Sequence, residues 1–169
     1  MKAAFLAFDE CSVWQVALLQ MFLRKSGWTM RTLTLDGQSV VTDGGLRLVP
    51  DGAIERVAPR DYNLLLLAGG RPHPELAEDP RLQRFLRQYD GQRGLIAACA
   101  ESVLYVAAAG LLGGLRLTTT AECYRQFESY FQGTLFTAQD VCVDGNIVTS
   151  QGRDVSAFAR AVCTQVGIV

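Results

Sequence analysis

Cys99 stands where an apolar run, Leu95 to Ala98, gives way to the Ala-rich stretch that ends at Gly110. The run has the length of a buried strand, and the stretch after it has good helix propensity. A strand running directly into a helix, with a thiol at the junction, reads as a nucleophile elbow. The tight turn lifts the side chain above the sheet edge, where the free N–H groups and positive dipole end of the helix favour a thiolate. As a nucleophile, such a thiolate adds to an electrophilic carbon (a carbonyl, an amide or a nitrile-like group), and backbone amides hold the developing oxyanion. Without turnover it is instead a site for oxidation to the sulfenic or sulfinic state, or for holding a small ligand.

Few other residues offer chemistry nearby. Gly69 and Gly70 follow the apolar run Leu64 to Leu67 and are candidate backbone donors, although a turn needing positive φ would use the same residues. Asp9, Glu10 and Glu101 lie near strand ends that should converge on Cys99. Glu101 is the closest in sequence. Ionised, it opposes a thiolate; protonated, it supports one. As an ordinary helix-start carboxylate it would simply face solvent. His73, the only histidine, follows the Gly69-Gly70 turn and should approach the site, although a loop histidine is more often a surface group. Cys11 reads as a neighbour of the site or as a buried turn residue, and Cys99 itself has the alternative of an inert core thiol.

The elements that must position these groups follow in order. Lys2 to Phe8 reads as a first buried strand. Ser12 is the expected N-cap of a helix over Val13–Lys25, in which Trp14, Leu18, Met21 and Phe22 recur at helical spacing and Ser26-Gly27 closes the end. Trp28 to Leu35 alternates as a second strand, giving a β-α-β start and hence a parallel α/β sheet. Val40 to Leu48 forms a small hairpin about Asp43-Gly44. Leu64 to Leu67 is a central strand buried on both faces. A helix over about Pro80 to Tyr89 turns Leu82, Phe85 and Leu86 inward. Beyond the elbow helix, Leu115 to Thr120 is a short strand, and Gln139 to Thr149 is a hairpin about Asp144-Gly145-Asn146. A last helix covers about Val155 to Val166. The stretch 121–138 is aromatic, with weak periodicity, and reads as core or dimer contact. No linker or repeat divides residues 1–169, so one domain is expected.

The chain has 169 residues, 49% hydrophobic and 20% charged, the profile of an ordinary globular domain with a full core. A formal net charge of −1 without a basic block argues against a nucleic-acid or acidic-membrane partner. The apolar start is cut short by Asp9 and Glu10, too early for a signal peptide, and no run is long enough to span a bilayer. The five cysteines are widely spaced and form no C-x-x-C pair, so neither a disulfide framework nor a zinc site is expected, and a cytoplasmic protein is. No motif for a metal, nucleotide or flavin stands out, and no cofactor is expected.

Three stretches in register resemble the ThiJ/PfpI superfamily: Leu64 to Gly70, the elbow from Gly94 to Ala100, and Asp144 to Gly152. The resemblance covers nearly the whole chain and is weakest over 121–138. It implies a flavodoxin-like three-layer α/β/α sandwich, related to class I glutamine amidotransferases, with a mainly parallel sheet and a nucleophile-elbow cysteine. Such proteins are usually dimeric. They include proteases, glyoxalase- or deglycase-like enzymes, isonitrile hydratases, chaperones and redox-responsive proteins.

Carried over residue by residue, the resemblance makes Cys99 the nucleophile and the amides of Gly70 and Ala100 the oxyanion donors. Gln15 stands where the family commonly has a Glu or Asp bonded to the cysteine. The family's common histidine positions fall at Ala100 and at Thr120 or Ala121, and neither holds a histidine. The helix after Cys99 is also one residue longer than expected before Gly110. Gln15 can still donate a hydrogen bond to a thiolate, but it cannot move a proton. Losing an acid/base partner costs roughly two to four powers of ten in rate. Two functions are therefore expected as alternatives: a cysteine-dependent hydrolase or lyase of a small substrate, and a non-catalytic redox sensor or small-ligand binding protein.

Overall fold

The computed structural model describes residues 1–168. Its frame is the β-α-β start that the apolar periodicity implies. Strand β1 (Lys2–Leu6) leads to helix α1 (Trp14–Lys25) and strand β2 (Thr29–Thr34). The hairpin β3 (Val40–Val41) and β4 (Arg47–Leu48) follows, then β5 (Gly52–Ala53) and the four-leucine strand β6 (Leu64–Leu67). Next come the short helix α2 (Pro74–Ala77), α3 (Pro80–Gly91), β7 (Leu95–Cys99) and α4 (Val103–Ala108). The remaining elements are β8 (Arg116–Leu117), α5 (Ala121–Gln126), β9 (Leu135–Phe136), β10 (Val141–Asp144), β11 (Ile147–Ser150) and α6 (Val155–Gln165).

Seven strands form one sheet in the order β10-β11-β7-β6-β1-β2-β5, parallel throughout except for the β10–β11 hairpin. β6 and β7 lie at its centre. Leu64, Leu65, Leu66 and Leu67 are all fully buried, as a strand covered on both faces requires. The register Ser150↔Cys99 and Leu67↔Ala98 brings the carboxyl ends of β6, β7 and β11 level, with β1 ending beside β6 at Leu6↔Leu67. That edge is where open α/β sheets bind ligands. The fold class, flavodoxin-like with a mainly parallel sheet, is the one the sequence implies.

Two local expectations change. The N-cap position of α1 is Val13, not Ser12, and Val13 has no side chain to cap with. The Ser12 hydroxyl instead donates to the Asp43 carboxylate at 2.6 Å, tying the hairpin to the start of α1. The stripe Trp14, Met21 and Phe22 faces outward, at 58%, 40% and 41% exposure, while Gln15, Val16, Leu19 and Leu23 face the core. Apolar spacing alone cannot say which of two apolar faces turns inward. The stretch 121–138 resolves into α5, a 3₁₀ turn and β9, with Tyr124 packed between Phe131 and Phe136 at ring separations of 5.1 and 4.6 Å. Among the described residues no helix is long and apolar enough to cross a membrane.

Candidate active site

The corner between β7 and α4 is where the sequence places the nucleophile, and the backbone puts its turning point one residue later. Cys99 is extended, with φ −105° and ψ 139°, and is the last residue of the strand. Ala100 has φ +48°, the left-handed conformation that an elbow gives to the residue it presents. This corrects the expected placement of Cys99. The sequence held one signal for it: counted back from Gly110, the one-residue excess in the helix disappears if the corner is Ala100.

Hydroxyls brace the turn. Ser102 donates to the Cys99 carbonyl at 2.8 Å, and Thr119 donates to the Ala100 carbonyl at 2.7 Å. Both hydroxyls are buried, so these bonds hold the strained peptide without competition from water.

Cys99 itself packs into the core at 1% exposure. Burial pushes its thiol far above the ordinary range; a hydrogen bond with Ser150 on β11 opposes this, and the Glu101 charge adds to the rise. A buried thiol of this kind is a poor source of thiolate. Cys11 and Cys123, the other buried cysteines near this edge, are also raised by burial, Cys123 to about 11.

Of the remaining expected residues, Gln15, Gly69, Gly70 and Glu101 assemble at the corner, around the Ala100 methyl. Gln15, 7% exposed, accepts from the Gly69 N–H through Oε1 at 2.8 Å. Its Nε2 makes no hydrogen bond among the described residues. A Cβ added to Gly152 would lie 2.5 Å from that nitrogen and 3.0 Å from the Ala100 Cβ, and one added to Gly69 would lie 2.8 Å from the Ala100 Cβ. Gln15, Gly69, Gly152 and Ala100 therefore form one tight cluster, in which glycines are needed for close approach. The Gly70 N–H, expected to hold an oxyanion, is bonded to the Glu101 carboxylate at 3.2 Å. An anionic side chain thus occupies the donor that a developing oxyanion would need.

Glu10 and His73 lie to one side. Glu10 is a second strained residue, at φ +60°, and its carboxylate pairs with Arg71 at 3.1 Å. Both ring nitrogens of His73 are engaged, Nε2 with the Asp9 carbonyl at 2.7 Å and Nδ1 with Glu75 at 3.2 Å, so the ring does not serve Cys99. These residues line an open cleft of about 790 Å³ with Asp9, Asp43, Gly70 and the β3 edge. Sequence reasoning missed Ser102, Thr119, Ser150 and Gly152, because their roles come from strand register and turn closure rather than from any local pattern. No group of three or more His, Cys, Asp or Glu able to hold a metal ion occurs among the described residues.

The fold has counterparts among known proteins. The family model for the DJ-1/PfpI family matches residues 1–165. The chain belongs to the DJ-1/PfpI family. It is 30% identical over 124 residues to the HTH-type transcriptional regulator CdhR of Pseudomonas aeruginosa, covering 73% of this chain and 36% of the regulator. It is 27% identical over 150 residues to the Parkinson disease protein 7 homolog of Danio rerio, covering 85% of this chain and 78% of the homologue. The chain thus spans about a third of the regulator and most of the fish protein. A DJ-1 superfamily protein from Agrobacterium tumefaciens has the same fold, with a TM-score of 0.89 at 22% identity over 100% of this chain and 91% of its own.

Proposed function

We propose that this DJ-1/PfpI domain binds a small molecule at the elbow edge without covalent turnover. The observation that carries the reading is Ala100 in the left-handed corner: the residue presented there has no nucleophilic atom. Three further features support it. Cys99 is buried and held in its thiol form, the Gly70 amide is occupied by Glu101, and Gln15 cannot transfer a proton. The same burial argues against Cys99 as an oxidation sensor, because oxidation begins at an accessible thiolate. The cleft beside the corner, which reaches it through Gly70, is open and lined largely by charged side chains that offer hydrogen bonds to a polar ligand. The kinship with a transcriptional regulator over 73% of this chain is in keeping with a binding role.

A thermal-shift screen of small carbonyl, amide and nitrile compounds, run on the native chain and on Cys99→Ala, tests the reading. A ligand at a hundredfold excess over its Kd adds about 2.7 kcal/mol. For a domain of this size that raises Tm by roughly 5–10 °C. The expected result is the same Tm rise in both proteins and no consumption of the compound. Turnover that disappears in Cys99→Ala would overturn it.

A second copy of the chain is the partner that fits this reading. The outward stripe of Trp14, Met21 and Phe22 on α1 is apolar surface that a homodimer would cover. Light scattering should return twice the chain mass, and Trp14→Glu should return it to one. A monomeric native protein would remove the dimer from the proposal.

A further inference from the structure

His73 separates two clefts. With Asp9 and Glu75 it lines both the 790 Å³ cleft at the elbow edge and a neighbouring one of about 320 Å³ against Phe8, Thr34 and Leu76. Its position is well fixed. Its backbone N–H donates to the Tyr105 hydroxyl at 3.0 Å, and its ring stands edge-on to Phe8 at 5.8 Å.

Both partners of the ring are acceptors. The Asp9 carbonyl, 2.7 Å from Nε2, can only accept. The Glu75 carboxyl, 3.2 Å from Nδ1, is held below its ordinary range, first by its own backbone N–H and then by His73, and so accepts as a carboxylate. Two acceptors require two N–H groups, which only the imidazolium carries. The neutral ring has one N–H and must give up one contact. The shorter bond to the fixed carbonyl keeps the proton on Nε2. Glu75, with its side chain 77% exposed, is the partner free to leave. Arg71 is a second cation acting on Glu75, and it otherwise pairs with exposed Glu10.

We propose that His73 is a proton-operated latch: as the imidazolium it holds Glu75 across the wall between the two clefts, and on losing its proton it releases Glu75 to Arg71, opening that wall. The step moves one proton from Nδ1 to solvent and exchanges one ion pair for another. The other charged groups on these walls have hydrogen-bond partners of their own. The Asp9 carboxylate accepts from the Val41 N–H at 3.0 Å, and Asp43 accepts from Ser12. On the side of the smaller cleft, Asp79 is paired with Arg81, and Asp36 accepts from the Gln38 N–H. A pH-dependent shape of the ligand cleft follows, a consequence that rests on the binding reading. The latch itself does not.

The chain has a single histidine, so the imidazole signals of untagged, isotope-labelled protein belong to His73 alone. Long-range ¹H–¹⁵N spectra across pH 5 to 8.5 should show both ring nitrogens protonated at the acid end and the Nε2–H tautomer at the alkaline end. The Glu75 carboxyl and Arg71 guanidinium signals should move at the same midpoint. Glu75→Gln removes the anion that the latch exchanges, so the Arg71 guanidinium signals should then stay flat across the same range. A neutral Nδ1–H tautomer, flat Glu75 and Arg71 signals in the native chain, or Arg71 signals that still move in Glu75→Gln would each overturn the latch. The readout needs no ligand, so its failure is distinct from failure of the binding proposal.

Discussion

A cysteine placed at the true corner, in the double variant Ala100→Cys with Glu101→Ala, is expected to alkylate at least about a hundredfold faster than Cys99 does in the native chain. Cys99 is 1% exposed and its thiol is bonded to Ser150, so it reacts only when the strand end opens. An opening cost of about 3 kcal/mol already gives that factor, and core strands usually cost more. A thiol on residue 100 would instead sit beside the free Nε2 of Gln15 and at the start of the following helical turn, where a thiolate is favoured. Glu101 must go as well, because its carboxylate lies on the Gly70 amide and its charge opposes a thiolate nearby. Ala100→Cys alone should therefore label more slowly than the double variant. Timed iodoacetamide labelling with peptide mass spectrometry reads the rates, and the other four cysteines, all buried, serve as internal standards. Rapid labelling of Cys99 in the native chain would show the accessible thiol to be the one at the strand end, and would reverse the reading of the site.

The second large effect concerns Gly70. At φ +120° it lies outside the conformations that side chains tolerate, and a Cβ there would overlap the Glu10 carbonyl oxygen and lie 2.8 Å from the Cys11 Cα and 3.0 Å from the Ser12 nitrogen. All three are backbone atoms, held by the Cys11–Gly70 bridge and the Ser12 N–H bond to the Gly69 carbonyl. None can move without displacing the start of α1, and with it Gln15. Gly70→Ala should cost about 3 kcal/mol or more. That corresponds to a Tm fall of roughly 6–12 °C. Gly27→Ala is the control: its φ is +81° but nothing lies within 4 Å, so only the backbone penalty of roughly 1 kcal/mol applies. Equal losses in the two variants would mean that the tight junction at Gly70 contributes nothing.

By itself the sequence determined the parallel α/β sheet, the order of its elements and the edge at which open sheets of this kind bind ligands. Those follow from local signals: four consecutive leucines for a strand buried twice over, Asp144-Gly145 for a hairpin, and an apolar run passing into an Ala-rich helix for an elbow. Through its resemblance to the family it also implied that the usual acid and histidine are replaced, since Gln15, Ala100 and Thr120 or Ala121 stand at those positions. Tertiary structure decided which residue turns the corner, for which the sequence held only the helix count back from Gly110. Cys99 and Ala100 are neighbours, and a shift of one residue on a strand reverses the face a side chain meets. Only the pairing of Ser150 with Cys99, together with the bracing of the turn by Ser102 and Thr119, fixes that register. Tertiary structure likewise decided that Glu101 closes onto Gly70, that the Trp14 stripe faces out, and that His73 bridges Asp9 and Glu75. Each of these depends on distances between segments far apart in the chain, and local propensity and spacing carry no information about such distances.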